Sequence, residues 1–142
     1  VLRRGREILY FEEDCEWWFV VLAFPDYFTK DHQADAVNSC KQQYPTIWEK
    51  WTGTVLAPEE SAKKREALWY QTHQHDWIVT TAWGNWHRDV PAGFVGVAAQ
   101  LGGRQPTLRT APTYRYFLVP EQDYIPPFVI DLQKHQEIDP IK

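Results

Sequence analysis

The sequence predicts one α+β domain over residues 1–142: a mainly antiparallel sheet of about five to six strands with two to three helices on one face, in the order β-β-α-α-β-β-β-β. Three observations predict it. The 142 residues fall within the commonest size range of a single domain, and no repeat, low-complexity tract or Gly/Ser linker divides them. With 44% hydrophobic and 24% charged residues, the chain has the balance of a globular protein. Its strand-like segments come in groups instead of alternating with helices, which favours antiparallel pairing.

The elements follow in order. "REILYFE" (6–12) and "WWFVVLAF" (17–24) are rich in aromatic and β-branched residues and flank the polar "EDCE", the pattern of a hairpin. Pro25 ends the second strand. Thr29 is suited to cap a helix running to about Lys41, with Ala34, Val37, Cys40 and Tyr44 along one face, and Pro45 stops it. "TIWEKWTG" reads as a short helix. Pro58 suits the first position of a further helix, with Glu59 and Glu60 in the first turn, where the helix dipole favours acids. From Asp76 onward the pattern turns to strands: "WIVTTAW" (77–83), "GFVGVAAQL" (93–101), "TYRYFLV" (113–119) and "FVIDL" (128–132), separated by turn-forming Gly, Pro and Asn. Alternation within 113–119 puts Tyr114, Tyr116 and Leu118 on one face and Arg115, Phe117 and Val119 on the other.

Composition removes several function classes. A formal net charge of −4 argues against a general nucleic-acid coat. The two cysteines, Cys15 and Cys40, lack metal-binding spacing, so a zinc finger or ribbon is excluded. No charged and apolar leader opens the chain, so the expected location is cytoplasmic, with both thiols reduced. The run from Trp17 to Phe24 is too short to span a membrane, and no membrane association is expected.

Motif-like stretches give no catalytic set. His87, Arg88 and Asp89 spell the start of a kinase catalytic loop, but the chain has neither the glycine-rich loop nor the DFG that this chemistry needs. Gly102 and Gly103 precede Arg104 without Walker or dinucleotide spacing, and read as a hairpin turn. His73, His75 and Asp76 form the one histidine-rich cluster; at a helix end, imidazoles are favoured simply by the last carbonyls. His32 and Cys40 lie two helical turns apart, out of hydrogen-bond reach. The expectation is therefore no catalytic residue, no cofactor and no metal.

What stands out is aromatic content, with eight tryptophans, and a locally basic third in which Arg88, Arg104, Arg109 and Arg115 share a span whose one acid is Asp89. Trp, Tyr and Arg dominate interface energies. The sequence thus predicts a non-enzymatic protein-binding module built around residues 83–104, with Trp83, Trp86, His87, Arg88, Arg104, Arg109 and Arg115 as binding residues. A nucleic-acid or phosphate-ligand binder using Arg88, Arg104, Arg109 and Arg115 is the alternative reading. A small metal-dependent hydrolase around His73, His75 and Asp76 is the third. A sheet face left uncovered by helices would suit a homodimer.

Overall fold

The structure, a computed structural model, describes residues 16–104 and 111–139. The chain divides into two compact units, residues 1–67 and 68–142. Among the described residues there are four α-helices and one four-stranded antiparallel sheet. The mixed α+β class agrees with expectation. The predicted five to six strands with two to three helices do not.

The first correction is Trp17–Ala23, expected as a strand and found as a helix, α1. Eight apolar residues in a row carry no period, so they fit a buried strand or a buried helix equally well. Burial shows the choice: Trp18 and Val21, three residues apart, are the buried pair. The presumed partner strand, residues 6–12, lies outside the described residues.

Thr29 caps the next helix, α2 (Lys30–Gln43), accepting the His32 N–H at 3.3 Å. Trp18 and Val21 of α1 form a core with Ala36 and Cys40 of α2, and Phe28, Tyr44 and Trp48 pack against it. Tyr44 leaves helical geometry just before Pro45, the residue type that disfavours helix at the preceding position. Pro45 itself opens α3 (Pro45–Thr52), where its missing N–H costs nothing. Gly53, at φ 74°, closes α3 in the left-handed conformation that glycine adopts most readily.

Pro58 begins only a short 3-10 turn, Pro58–Glu60; the helix itself, α4, spans Ala62–Thr72. Ser61, fully buried, accepts the Lys64 N–H, and its hydroxyl donates to the Gln42 carbonyl at 3.3 Å. Nearby, Lys64 Nζ pairs with Glu49 and donates to the Leu56 carbonyl at 2.7 Å, so the loop between α3 and α4 is anchored by hydrogen bonds. The Lys64 bond, together with the Leu56 N–H that donates to Glu49 Oε1 at 2.7 Å, holds the Glu49 carboxyl below the usual carboxylate range. No helix among the described residues is long and apolar enough to cross a membrane.

In the second unit, β1 (Trp77–Trp83), β2 (Phe94–Leu101), β3 (Arg115–Pro120) and β4 (Gln136–Ile138) form a meander in sequence order. The first three fall within two residues of the strands expected from the β-prone runs at 77–83, 93–101 and 113–119. The expected strand at 128–132 is a second correction, because it joins β1 only through an isolated bridge between Val129 and Ile78. Two hydrogen bonds, from the Val79 N–H to the Phe128 carbonyl and from the Ile130 N–H to the Trp77 carbonyl, tie it there. Its apolar residues serve as cover instead: Ile130 and Phe128 pack on a core of Val97, Ala99, Phe117 and Val119 from one sheet face. The remaining strand is β4, opposite Tyr116–Leu118.

Candidate functional site

Two small residues on β2 shape the opposite sheet face. Gly96 pairs with Trp83 of β1, and Ala98 pairs with Tyr116 of β3. With so little side chain on the middle strand, the Trp83 and Tyr116 rings reach toward each other over it, their centroids 6.2 Å apart. The contact is edge-on, an arrangement aromatic quadrupoles favour. The row extends both ways: His87 lies 6.3 Å from Trp83, Trp86 5.8 Å from His87, and Tyr114 6.4 Å from Tyr116.

The turn between β1 and β2 sets the outer end of this row. The His87 N–H donates to the Gly84 carbonyl and the Val90 N–H to the His87 carbonyl, so the chain folds back on itself twice within a few residues. Val90, 4% exposed, is its anchor. Trp86, 79% exposed, is its tip. His87 Nδ1 sits 3.5 Å from Asp89 Oδ2 and accepts the Asp89 N–H at 3.4 Å. Trp83 is half-buried, and its indole Nε1 is buried with no hydrogen-bond partner among the described residues.

The arginines do not converge. Arg88 extends from the same turn as Trp86, largely exposed, with Nε 3.6 Å from Asp89 Oδ1. Arg104 lies just beyond the C-terminal end of β2 and donates to the Thr80 carbonyl at 3.3 Å. Arg115 is on the core face, as alternation predicts, forked onto Glu137 by bonds of 2.7 and 2.6 Å and lying about 5 Å from the Trp77 and Phe117 rings. The Arg115 hydrogen bonds hold the Glu137 carboxyl below its ordinary range, and Glu137 in turn raises the guanidinium. Arg109 lies outside the described residues. Thus Trp83, Trp86, His87 and Arg88 cluster, Arg104 stands apart, and Arg115 serves the sheet.

The other stretches singled out from sequence have structural partners. Gly102 and Gly103, at φ 69° and 77°, donate their amides to the Asp76 and Gln100 carbonyls, so neither amide is left to form an anion nest. His73 Nδ1 meets Asp76 Oδ2 at 2.7 Å, and the ring packs 4.5 Å from Trp69. Among the described residues, no three His, Cys, Asp or Glu side chains are grouped to hold a metal ion. Cys40 is fully buried, which pushes its thiol pKa up and away from nucleophilic use. Cys15 lies outside the described residues.

Sequence reasoning missed Gly96 and Ala98 as the spacers that let the rings meet. Two small residues at alternate positions, Gly96 and Ala98, were the available signal. It missed Gln100 as well, whose burial at 8% exposure nothing in an alternating strand announces. Residues 1–74 match a family described as "Domain of unknown function (DUF7007)". No curated protein and no solved structure matches the chain.

Proposed function

We propose that this chain, which belongs to the DUF7007 family, is a non-enzymatic module that binds another protein through the turn and ring row at residues 83–88. The observation that carries the reading is Trp86. A tryptophan 79% exposed at the tip of a hydrogen-bonded turn, backed by His87 and a half-buried Trp83, offers a large apolar surface that is already positioned. Rigid aromatic side chains of this kind supply much of the affinity at protein interfaces because little side-chain freedom is lost on docking. Arg88 beside it adds a charged rim.

The nucleic-acid reading has less support. Of the three arginines of this set among the described residues, Arg115 is paired with Glu137 on the core face and Arg88 lies beside Asp89, so only Arg104 has no carboxylate within ion-pair distance.

The test compares proteins captured by the wild-type chain and by Trp86→Ala, with circular dichroism of both. The expected result is an unchanged spectrum and melting curve together with loss of a specific partner, by about tenfold or more in affinity. Equal capture by both proteins overturns the reading. Fluorescence anisotropy with single-stranded oligonucleotides at two salt concentrations is the companion measurement, and saturable binding that weakens with salt would favour the alternative.

A further inference from the structure

We propose that the groove at the end of the sheet where β2 finishes is a binding site for a nucleobase carrying a phosphate. The groove has a volume of about 640 Å3 and lies between the start of β1, the end of β2 and the segment leading into β3. That volume is in the range of small-molecule and cofactor sites. The proposal is independent of the protein-binding reading, since neither Trp86 nor His87 lines the groove.

Three features assign the ligand class. The first is Gln100, 8% exposed, which lines the groove and whose carboxamide makes no hydrogen bond with another described residue. With no partner among the described residues, its donor and acceptor are free to pair with a ligand that enters the groove. A carboxamide presents a donor and an acceptor side by side, which matches the adjacent acceptor and donor on the edge of a nucleobase. The second feature is the lining. Tyr114 offers ring surface and Leu101 and Pro112 offer apolar surface for a planar heteroaromatic ring, while the Trp77 ring, which also borders the groove, lies about 5 Å from the Arg115 guanidinium on the core face.

The third is charge. Among the described residues of the second unit, Arg88, Arg115 and Lys134 each have a carboxylate within ion-pair distance, and Arg104 has none. It lines the groove and spends one N–H on the Thr80 carbonyl at 3.3 Å. A guanidinium has five N–H donors, so the charge and the remaining donors are available to a phosphate.

Isothermal titration of the full chain with AMP, GMP, CMP and UMP tests the site, with the parent nucleosides and inorganic phosphate titrated separately. Saturable binding of at least one nucleotide is expected, with its nucleoside about tenfold weaker and phosphate alone weaker than both. Arg104→Gln, at an exposed position, keeps the fold and should bring nucleotide and nucleoside to similar affinity. Gln100→Leu should weaken both. A short single-stranded oligonucleotide that binds more tightly than the mononucleotide identifies nucleic acid as the source of the ligand, and one that binds no better identifies the free nucleotide. The proposal is overturned if no nucleotide gives saturable heat, if phosphate alone binds as well as the nucleotides, or if nucleotide binding is the same in Arg104→Gln as in the wild type.

Discussion

Gly96→Ala puts the ring row to a direct test, because the structure fixes both the sign and the partner of the effect. Gly96 does not sit at positive φ, so the backbone accepts alanine, and that change alone would stabilise by about 0.4–1 kcal/mol through the unfolded chain. Space argues the other way. A Cβ at Gly96 would fall inside the van der Waals envelope of the Trp83 indole, at Cε2 and Nε1, and 2.8 Å from Val90 Cγ2. Overpacking of this kind costs about 1–3 kcal/mol. The net expectation is a destabilisation of about 1–2 kcal/mol, since the steric cost exceeds the entropic gain. Urea unfolding followed by tryptophan emission measures it. Repeating the substitution in a Trp83→Leu background removes the indole, and most of the cost should go with it, leaving a coupling of about 1 kcal/mol or more between the two sites. Gly96→Ala that stabilises the wild type, or that costs the same in both backgrounds, refutes the account of why β2 is small where the rings cross.

Two further predictions concern the framework that holds the elements. Thr29→Ala removes the acceptor of the His32 N–H and should cost about 0.5–1 kcal/mol, with Thr29→Asp restoring most of it; equal urea midpoints for Thr29→Ala and wild type would show that the cap contributes nothing. Glu137 has its carboxyl pKa lowered in the folded state by Arg115, so its contribution is present above the unfolded carboxylate range near pH 4.5 and is lost as pH falls through the lower folded value. The gap in urea midpoint between wild type and Glu137→Gln should therefore narrow from neutral pH toward pH 3, and a gap independent of pH would refute the assignment.

The sequence was most readable where local chemistry and tertiary structure agree. Thr29 before a helical stripe, and the β-prone runs at 77–83, 93–101 and 113–119 bounded by Gly, Pro and Asn, each specify the element on their own. It was least readable where burial decides. The run from Trp17 has no polar residue to reveal its period, so only its packing on Ala36 and Cys40 makes it a helix. At 128–132 the apolar residues cover a core rather than extend a sheet, because Pro126 and Pro127 supply no N–H for a ladder just before them. β4, at Gln136–Ile138, is three residues of mostly polar character with no strand signal. Charge was only partly legible for the same reason: four arginines lie near one acid in the sequence, yet Glu137, 22 residues beyond Arg115, pairs with it across β3 and β4. Linear charge counts miss partners that sheet register brings together.

The family match and the candidate sites occupy different parts of the chain. The match covers residues 1–74, which includes α1, α2, α3 and α4, whereas every residue proposed to bind lies at Trp77 or beyond. The binding proposed for the ring row and the groove belongs to the sheet, outside the stretch that the family match covers. This separates the experiments. Trp86→Ala and Arg104→Gln alter exposed side chains of the second unit, and neither touches the core of Trp18, Val21, Ala36 and Cys40 or the Lys64 and Glu49 pair. A loss of binding in either variant with an unchanged unfolding curve therefore reports on the sheet alone. The helical elements have their own exposed aromatics, Tyr27 and Trp51, at 86% and 60% exposure. If Trp86→Ala leaves capture of a partner intact, those residues are the next surface to change, and a partner lost on Trp51→Ala would move the binding function into the part of the chain that the family shares.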